Sequence, residues 1–138
     1  MLKKSASKNI VKMSQDIVAD ALNMIKNSKG ARRESLKLHR ISNLLIEILK
    51  IMRQKEIIKK YKIDPKDKSM EVSLGNFTEC KAIKPRFTVK KDEIEKYIRR
   101  YLPARDTGTI VVSTSKGIMS HEDAIEAGLG GALLAYFY

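Results

Sequence analysis

Hydrophobic residues recur every three or four positions in two stretches of the first half of the chain. In residues 14–26 and again in 44–55 this spacing gathers the apolar side chains on one face, which is typical of an amphipathic helix. Ser14 and Ser42 precede these stretches, and a hydroxyl at that position can accept hydrogen bonds from the first amides of a helix. Gly30 is suited to end the first helix. The pattern predicts two serine-capped helices.

Apolar and polar residues alternate strictly in three shorter stretches, at 35–39, 61–63 and 70–74. A period of two is typical of half-buried strands, and the polar run at 64–68 between the last two stretches predicts a hairpin turn. The predicted order in the first half is therefore α-β-α-β-β. The turn-like pair at 75–76 marks the predicted domain boundary.

A strand, an extended segment and a helix are predicted at the start of the second half. Residues 77–83 indicate a strand, and Pro85 disfavours a helical conformation at Lys84. In 92–102 apolar residues recur at helical spacing, with acids at the start and arginines at the end, and Pro103 stops the pattern. This is the clearest helix in the chain.

The last part of the chain predicts a strand, a hydroxyl-rich loop, a short helix, a glycine turn and a final strand. A β-branched run at 110–112 precedes three hydroxyls, a lysine and a glycine at 113–117. Ser120 and Asp123 match a helix-start pattern, and Gly128 is suited to end that helix in the left-handed conformation. A loop held on such a frame is more often a binding device than packing material.

These elements predict an α+β fold of two small packed domains. An N-terminal α-β-α-β-β domain would cover 14–76, and a C-terminal α+β domain ending in strand, loop, helix and strand would cover 77–138. Residues 1–13 carry four lysines and no acid, which indicates a basic flexible tail. A mitochondrial presequence is an alternative for this tail, although it would be short and has no arginine.

The charge of the chain narrows the class of its partner. Its 138 residues include 28 lysines and arginines against 16 acids, a net charge of +12. Such an excess indicates a polyanionic partner, with nucleic acid ahead of an anionic membrane surface. No apolar run approaches the roughly 20 residues of a membrane-spanning helix, so no membrane partner is predicted. The single cysteine permits no internal disulfide, which favours a cytoplasmic protein.

The positive charge is distributed unevenly. Residues 26–40 carry six basic residues against one acid, and 50–68 carry eight against three. Residues 106–138 carry Lys116 alone against four acids. The hydroxyl-rich loop at 113–117 therefore lies in the least basic part of the chain, where it is suited to supply specificity rather than bulk attraction.

Metal and catalytic sites are not predicted. The run 121–123 (His-Glu-Asp) is best explained as a helix start, because consecutive residues do not share a helix face and no second His or Cys cluster completes a ligand set. His39 is expected to be exposed or to face a partner. Cys80 has no companion signature of a nucleophile and is expected to be a buried structural thiol.

The chain does not match either common nucleotide-binding motif, because its residues occur in a different order. A phosphate-binding loop needs lysine after glycine, but Lys116 precedes Gly117, and the glycines at 128–131 precede a strand where a dinucleotide motif precedes a helix. No cofactor is predicted. Hydroxyls and backbone amides are suited to RNA 2′-hydroxyls and phosphates, so an RNA contact fits the loop better. An ordinary strand–helix connection is the alternative.

Several motifs resemble one known family. The stretch 111–119, Ala124 and the glycines at 128–131 before an aromatic C-terminus closely resemble the small-subunit ribosomal protein eight family. The stretches 83–87 and 101–106 resemble its archaeal and eukaryotic branch. The resemblance covers roughly residues 14 to 138, most specifically in the C-terminal motif.

This resemblance implies a structural constituent of the small ribosomal subunit and not an enzyme. It implies binding of a helical stem in the central domain of small-subunit rRNA, help in organising the assembly of that region, and other small-subunit ribosomal proteins as partners. It implies no small-molecule substrate and places the rRNA-binding domain at 77–138. Three rivals remain: repression of its own mRNA, a small phosphate-handling enzyme that uses Lys116 and the glycine turn, and a generic basic structural module that contacts proteins.

The resemblance assigns RNA contacts to the hydroxyl-rich loop and to the start of the second helix, and nearby basic residues extend the set. The predicted RNA-binding residues are Ser113, Thr114, Ser115, Lys116, Gly117, Arg40, Ser42, Asn43, Lys84, Arg86, Arg32 and Arg33. Two departures stand out. Asn43 occupies a position where the family commonly has lysine, and Ala132 one where the family usually has a polar or charged residue.

Overall fold

A computed structural model of the chain describes residues 17–66, 68–84, 86–104 and 106–138. The elements in these ranges are α1 (17–30), β1 (Ser35–Leu38), α2 (Asn43–Gln54), β2 (Ile58–Asp64), β3 (Ser69–Leu74), β4 (Cys80–Ala82), β5 (Thr88–Val89), a 3₁₀ turn (Lys91–Glu93), α3 (Ile94–Tyr101), β6 (Thr109–Thr114), β7 (Gly117–Ser120), α4 (His121–Ala127) and β8 (Gly131–Phe137). The α+β class is confirmed.

The first half has the predicted α-β-α-β-β order. Its strands form an antiparallel sheet in the order β1-β3-β2. The hydroxyl of Ser42 accepts a hydrogen bond from the amide of Leu45 at 3.1 Å, which confirms the predicted cap of α2. The predicted tail at 1–13 and the predicted cap at Ser14 lie outside the described residues.

The second half forms a five-stranded antiparallel sheet. Its order is β4-β8-β6-β7, and β5 pairs with β8 beside β4. The strand β7 is not predicted from the sequence, and it turns the predicted loop at 113–117 into a tight hairpin between β6 and β7. Four residues between a turn and a helix cap are too few to show a period of two.

The two faces of the five-stranded sheet are buried against different partners. Val111 packs into the cluster formed by α1, α2 and the three-stranded sheet, whereas Ile110 and Val112 pack with Ile94 and Ile98 of α3. Successive residues of a strand point to opposite faces, so β6 divides its side chains between the two clusters. The domain boundary at Asn76 stays a prediction, because the first cluster includes residues from both halves.

Helix α1 is joined to the segment that opens the second half. The Nζ atom of Lys26 lies 2.7 Å from Oε1 of Glu79, and this partner raises the pKa of Lys26. The Nζ atom of Lys29 lies 3.1 Å from Oδ1 of Asn76 and 4.7 Å from the ring centroid of Phe77. These two lysines therefore serve contacts within the protein.

Helix α4 begins and ends as the sequence predicts. The Ser120 hydroxyl accepts a hydrogen bond from the amide of Asp123 at 3.2 Å. Gly128 ends the helix with a φ of +69°, the left-handed conformation that glycine adopts without a steric cost.

Two consecutive glycines allow β8 to enter the sheet between β5 and β6. A Cβ atom on Gly130 would collide with the carbonyl oxygen of Val89, and one on Gly131 would collide with the carbonyl oxygen of Ser113. Both obstacles belong to the backbone of a neighbouring strand and cannot rotate away as a side chain can. The pair Gly130–Gly131 is therefore a packing requirement of the fold.

We expect Gly131→Ala to lower the free energy of unfolding by about 1–3 kcal/mol, because the added methyl group must displace β6. Urea unfolding measures this change. The matched control is Gly30→Ala, where an added Cβ meets nothing within 4 Å. That variant should keep the stability or gain up to about 1 kcal/mol. Equal stability of the two variants would contradict the close approach of β8.

Candidate nucleic-acid interface

The hairpin between β6 and β7 is the centre of the candidate site. Thr114 and Gly117 form its last pair, and Ser115 and Lys116 make the turn. The hydroxyl of Thr114 donates to the carbonyl oxygen of Gly117 at 2.8 Å and accepts from the amide of Lys116 at 3.2 Å. Thr114 thus holds the shape of the turn, a role that its sequence position alone did not reveal.

The surface of this hairpin tip offers three different groups to a ligand. Ser115 and Lys116 are exposed, and Ser113 is half-buried on the neighbouring strand. Gly117 has a φ of +120°, and the space where its Cβ would stand is open. A ligand can therefore approach the backbone of the tip closely and meet a hydroxyl and an ammonium group beside it.

Strand pairing places further residues at the same end of the sheet. Ser113 pairs with Ala132 of β8, and Ala132 pairs with Thr88 of β5. Lys90 follows β5, is exposed, and lies against Gly130. Lys90 was not among the predicted contacts, and only the pairing of β5 with β8 brings it near the tip.

A second patch lies at the start of α2. Ser42 caps the helix with its hydroxyl, so that oxygen is engaged with the amide of Leu45. Asn43 is the first helical residue and is exposed. Arg40 is also exposed, and its guanidinium lies 3.5 Å from the carboxylate of Asp20.

Helix α2 packs against the strand that leaves the hairpin tip. α2 contacts β7, and Lys55 just beyond the end of α2 lies 3.7 Å from Glu122 just beyond the end of β7. The end of α2 therefore lies near the end of β7. The placement of Arg40–Asn43 and Ser113–Gly117 on one side of the protein stays a prediction.

The other predicted basic residues lie elsewhere on the surface. Arg32 and Arg33 are exposed in the turn before β1, and β1 separates them from Arg40 at its other end. Lys84 and Arg86 are exposed in the connection between β4 and β5, at the outer edge of the five-stranded sheet. Their roles in RNA binding stay predictions.

Several known proteins are similar to this chain. A family model described as Ribosomal protein S8 matches residues 16–138. The chain belongs to the ribosomal protein S8 family. Three archaeal relatives share the name small ribosomal subunit protein uS8, and each is matched over its whole length and over 91% of this chain. They come from Nanoarchaeum equitans (40% identical), Archaeoglobus fulgidus (40%) and Picrophilus torridus (39%).

The membership agrees with the resemblance found in the sequence, including its archaeal branch. In the part of the chain that the structure describes, no helix has the length and apolar character needed to cross a bilayer. Within the same ranges, no group of three or more His, Cys, Asp and Glu side chains is arranged to hold a metal ion.

His121 is a structural residue in this fold. Its side chain is buried, and its Nδ1 atom accepts a hydrogen bond from the amide of Ile110 at 3.0 Å. The pairing of β6 with β7 ends at Val111 and Ser120, so the imidazole accepts a hydrogen bond from the next residue of β6 beyond that pairing. Burial lowers the pKa of His121, and the nearby Glu122 carboxylate opposes that shift. The sequence pattern at 121–123 predicts only the helix start and not this hydrogen bond.

We expect His121 to make the protein less stable in acid. The pKa of His121 is lower in the folded state, so the folded state binds fewer protons than the unfolded state below the ordinary pKa of about 6.5. The contribution of His121 to the free energy of unfolding is therefore complete above that pH. It should decrease as the pH falls from about 6.5 toward the pKa of the folded state, by at most about 1.4 kcal/mol per pH unit. Urea unfolding between pH 7.5 and pH 5 measures it.

The matched variants are His121→Asn, whose Oδ1 can accept from Ile110, and His39→Asn on an exposed residue. His121→Asn should flatten the pH dependence in this window, and His39→Asn should leave it unchanged. A wild-type slope that survives in His121→Asn would show that another group titrates.

Cys80 is the buried structural thiol that the sequence predicts. Its Sγ atom lies 3.4 Å from the carbonyl oxygen of Leu22, to which it donates. Burial, reinforced by the negative charge of Glu79, raises the pKa of the thiol to about 12. Because the thiolate is the reactive form, the folded protein contains almost no nucleophilic sulfur at neutral pH.

We expect the folded protein to react with Ellman's reagent at pH 8 at least about a hundredfold more slowly than the same protein in 6 M guanidinium, because both burial and the raised pKa suppress the thiolate. Absorbance at 412 nm follows the reaction. Prompt stoichiometric labelling of the folded protein would contradict the burial of Cys80.

Proposed function

We propose that this protein is a structural constituent of the small ribosomal subunit that binds rRNA and is not an enzyme. Its ligand is a helical stem in the central domain of the small-subunit rRNA, and its binding helps to organise that region during assembly in the cytoplasm. The observation that supports this most directly is the exposed tip of the hairpin between β6 and β7 in a member of the ribosomal protein S8 family.

The hairpin tip reads the shape of the stem. The exposed Ser115 hydroxyl, the accessible backbone at Gly117 and the Lys116 ammonium group are suited to 2′-hydroxyls and phosphates along a minor groove. Double-stranded RNA is recognised mostly by such shape-dependent contacts, because side chains cannot enter its deep major groove. Thr114 contributes by fixing the turn from within.

The start of α2 provides the second contact. Asn43 presents an amide to the RNA instead of the lysine common in the family, and the first turn of a twelve-residue helix attracts phosphate through its free amides. Arg40 adds positive charge beside it. In this arrangement the predicted domains 14–76 and 77–138 each contribute one contact to the same stem.

Bulk attraction to RNA comes from the rest of the chain. The protein carries a net charge of +12, whereas residues 106–138 have one lysine against four acids. The salt dependence of binding follows the number of phosphates that cations neutralise, so most of that dependence originates outside the hairpin. The family match supports the ribosomal role and gives no support to the phosphate-handling enzyme.

We expect the pair Thr114→Ala and Ser115→Ala to weaken binding of the cognate rRNA stem about tenfold, with an almost unchanged salt slope, because hydroxyls and turn geometry are lost but no charge is removed. Lys116→Ala should instead lower the slope by about one. Filter binding across a series of KCl concentrations measures both quantities.

Ser35→Ala is the matched control, because Ser35 is an exposed hydroxyl on the three-stranded sheet, away from the tip. It should leave affinity and slope unchanged. If the variant with Thr114→Ala and Ser115→Ala has a lower salt slope and loses affinity equally for cognate and random RNA, the hairpin does not recognise shape. Footprinting of small-subunit rRNA with and without the protein tests the location of the stem.

A further inference from the structure

The outer strand β2 of the three-stranded sheet has one open edge. β2 spans Ile58–Asp64 and pairs with β3 along its other edge. Because the sheet order is β1-β3-β2, no strand of the described residues pairs with the open edge. Backbone N–H and C=O groups of alternate residues point to this edge, where they form a row of donors and acceptors. Such an edge can pair with another extended chain.

The outer face of β2 carries positive charge. Lys60 and Lys62 are exposed and lie two residues apart, so their side chains share this face. Neither lysine forms an ion pair with another described residue. Glu71 of β3 lies opposite Lys62 without an ion pair, and Asp64 accepts a hydrogen bond from the amide of Lys66 at 2.9 Å. The two lysines are therefore available to an acidic partner.

The other face of β2 carries an apolar row that continues the core toward the open edge. Tyr61 and Ile63 pair with Val72 and Met70, which are fully buried. Paired residues of an antiparallel sheet share a face, so all four side chains lie on the core side. Ile63 is nevertheless 41% exposed. A strand added beside β2 would bring an apolar side chain next to Ile63 and remove that surface from water.

A cavity of about 500 Å³ adjoins the start of the same strand. Its lining includes Arg53, Lys59 and Glu56. The guanidinium of Arg53 also lies 5.5 Å from the ring centroid of Tyr61, so the cavity is continuous with the apolar row. Residues 53–62 carry five basic residues against Glu56. The cavity and the strand therefore attract the same class of partner, one with negative charge.

Charge and shape together decide which chain fits this edge. Pairing with β2 of a second copy would place lysines beside lysines, an arrangement that protects edge strands from self-association. Residues 1–16 carry four lysines against one acid and are repelled as well. RNA matches the lysines, but it uses neither the backbone edge nor the exposed Ile63. A protein segment in which acids alternate with apolar residues matches all three features.

We propose that β2 binds an extended acidic segment of another protein as a fourth strand of the sheet. The backbone of the segment pairs with the open edge. Its acids lie beside Lys60 and Lys62, and its apolar side chains lie beside Tyr61 and Ile63. Side chains opposite each other on neighbouring strands are about 5 Å apart, which is close enough for both contacts. This site adds a protein partner and does not depend on the RNA contact.

The test uses the full-length protein and a labelled peptide, acetyl-Glu-Leu-Glu-Leu-Glu-Leu-amide, followed by fluorescence polarisation. Lys60→Glu with Lys62→Glu should weaken binding at least about tenfold, because two attractions become repulsions. The matched control is Lys91→Glu with Lys96→Glu, which changes the net charge equally on two exposed residues of the other half. It should have less than about a twofold effect. Ile63→Ser should weaken binding without a change of charge. Amide NMR spectra check that each variant is folded.

Methylated peptides test the backbone pairing separately from charge. Successive amides of an extended peptide point to opposite edges, so N-methyl groups on the leucines and on the glutamates block different edges. One of these two peptides should lose binding at least about tenfold, and the other should bind like the parent peptide. The amide resonances of β2 should shift on addition of the parent peptide.

Four results would overturn the proposal. Absence of peptide binding would show that the lysines only protect the edge. Equal behaviour of the two methylated peptides would show that no strand is added. Equal losses in the two double variants would show non-specific charge attraction. A loss of rRNA-stem affinity in the Lys60 and Lys62 variant beyond that of its control, without peptide binding, would assign the face to RNA. Equal stem affinity in the two double variants separates failure here from failure of the proposed function.

Discussion

The close approach of β8 to its neighbours is the constraint on which the rest of the structure depends. β8 pairs with β4, β5 and β6, and two glycines make room for it between the carbonyl groups of Val89 and Ser113. This pairing fixes the end of β6 and hence the position of the hairpin tip. It also gives the five-stranded sheet two faces, one for α3 and α4 and one for the N-terminal half.

Local patterns predicted most of the fold because their causes are local. The caps at Ser42 and Ser120 and the left-handed turn at Gly128 follow from hydrogen bonds and backbone geometry within a few residues. The strand β7 and the bond from Ile110 to His121 could not be predicted in this way. Both depend on a partner strand that only the tertiary fold supplies, and no periodicity in the sequence records it.

The candidate site shows the same division between local and tertiary information. The sequence predicts a contact loop from the hydroxyls at 113–115, but it does not predict their separate places in the hairpin. Thr114 is engaged within the turn, whereas Ser115 faces outward. The contact of α2 with β7 and the separation of Arg32 from Arg40 by β1 depend on the tertiary fold. The distribution of charged residues along the chain cannot predict either of them.

The central place of β8 in its sheet also affects how the protein is made. β4 and β5 have no strand partner in the described sheet other than β8, and Phe137 of β8 is buried with α1 and α2. Both cores therefore depend on pairings between residues that lie far apart in the sequence. Because the entropy of closing long loops opposes such pairings, we expect the five-stranded sheet to form more slowly than the helices and hairpins.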